Sequence, residues 1–141
     1  FYVIGMRRGK SYSEPGQPLT LYDYDDPDAP EGAWVTYNYT AFIPDYDTDI
    51  PVKFLLTRTG KPAARAINTV IKKNEARGPA WNNAFRMTTA TRNGDKGEYA
   101  VSRIQVVEAD SKHVEMAGDI AVKMLTSNAA DFGAAGEEPA I

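Results

Sequence analysis

Cysteine is absent from the 141 residues, which excludes disulfides, thiolate metal sites and a cysteine nucleophile. That lack agrees with a cytoplasmic setting, the compartment expected for this chain. Histidine is nearly absent as well. His113 has no second His or Cys with which to share a transition metal, and no Ser–His–Asp arrangement can be drawn on it. No apolar run approaches the ~20 residues of a membrane-spanning helix, and the residues given carry no signal-peptide pattern. Between residues 11 and 50 there is no Lys or Arg at all, against nine acids: Glu14, Asp23, Asp25, Asp26, Asp28, Glu31, Asp45, Asp47 and Asp49. Neither group of Asp residues has the Gly and Glu spacing of an EF-hand loop, so a solvated acidic segment is expected. Asn93-Gly94-Asp95-Lys96-Gly97 is no phosphate-binding loop, because its spacing is wrong and no Ser or Thr follows the Lys. No enzyme, metal or cofactor is expected.

What the chain has is a separation of charge. Residues 53–103 hold eleven basic side chains and three acidic ones, a local charge of about +8 in a chain of net charge −3. Blocks of one sign create a local field that the total conceals, and here they suggest a centre for a polyanion with acidic flanks.

The elements follow in order. Residues 1–6 (FYVIGM) read as a short strand closed by the charged turn Arg7-Arg8-Gly9-Lys10. The sequence is read as starting inside the domain, with residues missing before Phe1. A Pro- and Asp-rich loop is expected over about 11–33, with LTLY at 19–22 able to form a brief strand. Residues 34–43 and 52–57 read as strands. A helix follows, capped by Thr59 with Pro62 in its first turn and ended by Gly78-Pro79. Its apolar stripe is Ala63, Ile67, Val70 and Ile71, with Arg65, Lys72, Lys73 and Arg77 off the stripe, the last three expected to be solvated. Residues 84–92 and 98–108 are strands joined by a glycine-rich hairpin connection. A second helix, capped by Asp110 or Ser111, carries Val114, Ala117, Ile120, Ala121, Met124 and Leu125 on one side. Residues 127–141 are Ala- and Gly-rich, acidic, and expected to be a disordered tail.

Three strands, one helix and a two-stranded hairpin is the order of an OB-fold barrel. The expected fold is therefore mostly β with two helices: a five-stranded OB-like barrel (β-β-β-α-β-β) over 1–126, plus the C-terminal helix and an acidic tail. Single-stranded nucleic acid binding needs cations that track phosphates and flat side chains on which bases stack. Both occur here. The candidates for phosphate are Lys53, Arg58, Arg86, Arg92, Lys96 and Arg103, and those for stacking are Trp34, Tyr37, Tyr39 and Tyr99. Trp81 is a further aromatic candidate. Alternation puts Arg86 with Arg92 on one strand face and Tyr99 with Arg103 on the other strand's, with Lys96 between them.

PVKFLLTRTGKPAARAINTVI (51–71) together with NGDKGEYAVSRIQV (93–106) resembles small phage-encoded single-stranded DNA-binding proteins of OB-fold type. The resemblance covers roughly the central third of the chain. It implies an OB barrel, binding during DNA replication or recombination in the host cytoplasm, and recruitment of partner proteins through the acidic tail. Two departures are plain: the tail is less acidic than the family's, and the Asp/Pro loop has no counterpart.

Three readings are carried forward. The first is a sequence-tolerant single-stranded DNA-binding protein, cofactor-free and homo-oligomeric. The second is a structural or assembly protein, such as a virion or scaffold component, whose basic centre and acidic flanks pair between subunits. The third is an accessory or inhibitor that mimics a polyanion with its Asp-rich loop.

Overall fold

The computed structural model describes residues 1–45 and 50–127. Its elements are β1 (Tyr2–Tyr12), β2 (Thr20–Asp23), β3 (Trp34–Phe42), β4 (Val52–Thr57), α1 (Lys61–Lys73), β5 (Ala84–Gly94), β6 (Gly97–Val107) and α2 (Ser111–Ser127), with short 3-10 turns at Arg58–Gly60, Glu75–Arg77 and Ala80–Asn82. The strands form one antiparallel sheet in the order β4-β3-β1-β5-β6, and β2 pairs with β1 beside that path.

β1 is longer than its apolar start. The charged stretch read as a closing turn continues the strand, because Arg7 to Ser11 pair with β3 on one side while Gly9 to Tyr12 pair with β2 on the other. Charge does not end a strand whose flanks are both hydrogen-bonded. Gly9 marks a close approach instead of a turn: a Cβ there would stand 3.0 Å from the Tyr22 carbonyl oxygen and 3.1 Å from Asn38 Nδ2. A register shift between Val3 and Gly5 changes the parity of β1. Val3 and Met6 can therefore face the same side although they are three residues apart.

Two hydrophobic clusters lie on opposite faces of the sheet. Ala63, Ala64, Ile67 and Ile71 of α1 pack with Val3, Met6, Tyr39, Leu56 and Phe85, and Phe54, Met87 and Ile104 lie against them. All five strands of the main path thus reach the α1 side. On the other face Ala117, Ile120 and Ala121 of α2 pack on Tyr2, Ile4, Phe42 and Ala84. His113 belongs to this packing, edge-on to Tyr2 and Phe42 at ring distances of 5.9 and 6.2 Å.

The expected closed barrel is corrected here. β4 and β6 are the two ends of the sheet path and do not pair. β4 ends after six residues, and the 3-10 turn and α1 that follow lie against β6 in place of a strand. The expected Thr59 cap is also absent. Gly60 is the N-cap of α1 without a side-chain bond, and the Lys61 N–H is taken by the Arg58 carbonyl of the preceding turn. For α2 the capping residue is Asp110, whose Oδ1 accepts from the N–H groups of Lys112 (2.9 Å) and His113 (3.2 Å). The tail expected over 127–141 lies, from residue 128 on, outside the described residues.

Candidate nucleic-acid interface

The β5–β6 ribbon gathers most of the predicted cations. Its strands have eleven residues each, joined by the two-residue turn Asp95-Lys96, with Lys96 exposed at the tip. The register sets Arg92 opposite Tyr99, Thr88 opposite Arg103 and Arg86 opposite Gln105. Directly opposed residues share a face, so Arg86, Arg92, Arg103 and Tyr99 all stand on one side of the ribbon. Phe85, Met87 and Ile104 take the other side into the α1 core. The strand parity read from the sequence is thus completed by the register. Every residue from Thr91 to Ala100 is exposed, so this outer part of the ribbon buries neither face. Tyr99 is 43 % exposed and its ring lies over Gly94, where a Cβ would stand 3.0 Å from Cε1. The ring is supported from below and open above, as a stacking platform has to be.

Arg58 and Trp34, distant in sequence, meet at the seam between β4 and β6. The Arg58 guanidinium lies 3.5 Å from the centre of the half-buried Trp34 ring. Arg58 is the one non-glycine residue with positive φ, at 50°, among those described. Left-handed backbone costs such a residue on the order of 1 kcal/mol, and strain of this kind gathers at functional positions. Because its 3-10 turn touches β6, the pair sits beside the ribbon. Trp34 Nε1 is buried and finds no hydrogen-bond partner among the described residues.

Four predicted residues stand elsewhere. Tyr39 is corrected: it is 1 % exposed, stacked on Phe54 at 5.2 Å, and its hydroxyl donates toward Asn68 Oδ1 (2.7 Å) and the Ala64 carbonyl (3.2 Å). Burial, with the neighbouring Tyr37 adding to it, pushes its phenol well above the ordinary tyrosine value, and no base can reach the ring. Tyr37 shares that face but lies half-buried at the rim of the core, lining a groove along α1. Lys53 is opposite Thr40 and lines a separate hollow of about 450 Å³ with Arg7, Asn38 and Thr40. Trp81 packs against the α2 cluster.

The α1 groove was missed in the sequence reading. It measures about 540 Å³ and is lined by Tyr37, Lys61, Arg65, Asn68, Lys72 and Lys73, with Thr69. The signal was there: 61, 65, 72 and 73 recur at helical spacing, on a side of α1 next to its apolar stripe. The acidic flank, in contrast, folds onto β1, where Asp23 pairs with Arg7 at 3.2 Å and Tyr24 lies under the Arg8 guanidinium at 4.3 Å. Among the described residues no cluster of carboxylates or imidazole could hold a metal ion, and no helix is long and apolar enough to cross a membrane.

Comparison with protein-family models, with curated proteins and with solved structures gave no match.

Proposed function

We propose that this chain is a sequence-tolerant single-stranded DNA-binding protein built on an opened OB-like sheet and acting in DNA replication or recombination. The observation that carries the reading is the ribbon: three arginines and a supported tyrosine on one face of a hairpin whose outer half is exposed on both faces. Phosphates would meet Arg86, Arg92, Arg103 and Lys96, while bases stack on Tyr99 and against the Trp34–Arg58 pair. The OB reading is supported by the element order, by a helix packed into the sheet between the third and fourth barrel-type strands, and by the tolerance of that fold for partial opening and for binding through its last hairpin. The acidic residues 127–141 would recruit partner proteins of replication or recombination, and the protein would act as a homo-oligomer in the host cytoplasm.

The assembly reading keeps one observation of its own: beyond β5, β6 pairs with no strand among the described residues, and Val106 of β6 is 54 % exposed, which fits a subunit contact. Titration of labelled oligo-dT of roughly 30 nucleotides, followed by fluorescence anisotropy with a duplex of equal length as control, separates the two. Preference for the single strand, weakening steeply with salt, supports the proposal. Absence of binding at low salt leaves the assembly protein.

A further inference from the structure

The cations of α1 form a second row, remote from the ribbon face. Lys61, Arg65, Lys72 and Lys73 stand at i, i+4, i+11 and i+12, along about 18 Å of helix. The adjoining stripe of Ala63, Ala64, Ile67 and Ile71 is buried in the core, so the helix is held rigidly while its basic side faces outward. Opposite the row stands Tyr37, and among the described residues no carboxylate lines the groove between them. Lys72 has Glu75 at 3.8 Å, an exposed pair of little worth in water.

Tyr37 and the ribbon arginines lie on opposite faces of the sheet. Tyr37 and Tyr39 are two apart on β3 and both reach the α1 cluster, whereas Arg86, Arg92 and Arg103 alternate with Phe85, Met87 and Ile104, which point into that cluster. Between the two surfaces sits the Arg58–Trp34 stack, on the turn that touches β6 and leads directly into Lys61. Arg58 therefore stands on the turn that joins the β6 side of the sheet to the first cation of the α1 row.

We infer that the α1 groove is a second binding site for single-stranded nucleic acid, with Lys61, Arg65, Lys72 and Lys73 on the phosphates and Tyr37 against a base. One molecule would then hold a long strand at the ribbon and again at α1, the strand turning at Arg58 and Trp34. The inference rests on the reading of the chain as a strand binder, and it adds a site that the OB resemblance does not imply.

The test compares wild type with two variants in binding to labelled dT10 and dT30. One, Arg86→Ala/Arg92→Ala/Arg103→Ala, strips the ribbon. The other, Arg65→Ala/Lys72→Ala/Lys73→Ala, strips the groove at three exposed positions where alanine leaves the core intact. Each phosphate contact to a single strand contributes roughly 0.7 to the slope of log K against log salt. The groove variant should lose about 2 from the dT30 slope, and with it most of the advantage of dT30 over dT10. The ribbon variant should retain binding of dT10, cross-link 5-iodouracil to Tyr37, and bind roughly tenfold more weakly when Tyr37→Leu is added. A groove variant with wild-type slope and wild-type length dependence overturns the inference and leaves the ribbon reading standing. A ribbon variant that binds like wild type while the groove variant fails does the reverse. Inorganic polyphosphate displacing dT10 from the ribbon variant, with Tyr37→Leu having no effect, reduces the groove to a plain anion surface and overturns the inference. No binding of dT30 by wild type overturns both.

Discussion

Tyr39→Phe isolates one hydroxyl in the centre of the α1 core. The ring and its stack on Phe54 at 5.2 Å survive the change, so no cavity opens. What is lost is the single O–H bond that Asn68 Oδ1 and the Ala64 carbonyl share. The Ala64 carbonyl is inside α1 and Asn68 is half-buried, so neither acceptor is stranded without water or helix partners. A net loss of about 1 kcal/mol is expected at pH 7. The sign changes with pH. The phenol is raised above its ordinary value of 10 by burial, so the folded protein keeps the proton while the unfolded chain releases it. Tyr39 therefore contributes its full stability below about pH 10 and loses it as the pH rises toward the folded value, at a limiting rate of about 1.4 kcal/mol per pH unit. At pH 11 that loss is about 1.4 kcal/mol, and Tyr39→Phe escapes it. Every other side chain is the same in the two proteins, so the difference between them isolates Tyr39. Urea unfolding at pH 7 and pH 11 should thus find the variant less stable at the first and level with, or slightly above, wild type at the second. A gap that stays constant between the two would refute the buried-hydroxyl argument.

Two further substitutions test local claims. Gly78 has φ of 152° and a Cβ there would run into the Asn82 side chain, so Gly78→Ala should cost about 1–3 kcal/mol in urea unfolding; an unchanged midpoint would mean the link from α1 to β5 is not held as described. Trp34→Leu removes the surface on which Arg58 lies and should weaken oligo-dT binding by roughly tenfold, with little effect on thermal unfolding because the ring is half-buried at the sheet's end; equal affinity would take the pair out of the interface.

Much of this architecture could be read from alternation alone. The β3 stretch is aromatic and β-branched without Gly or Pro, and the parity of 86–92 against 99–105 is what puts three arginines and Tyr99 on one face. Period-2 patterning does not say how far under a helix a residue lies. Tyr37 and Tyr39 share a face, yet Ala64 and Asn68 cover Tyr39 while Tyr37 stays at the rim. Closure of the sheet was beyond local patterning too, since it depends on whether a six-residue β4 meets β6 or the turn after it does. Gly9 and its charged neighbours looked like a turn because the partners that hold them in a strand, on β2 and β3, are 12 to 31 residues away. The α1 groove was legible as a helical row of cations, but Tyr37 across from it was not.

The most direct measurement is the salt dependence of oligo-dT binding by wild type beside Arg86→Ala/Arg92→Ala/Arg103→Ala. If the ribbon face carries the strand, the slope of log K against log salt should fall by about 2, so that raising salt from about 50 to 200 mM costs wild type roughly twentyfold more affinity than it costs the variant. Equal slopes and equal affinities in the two proteins would contradict the account.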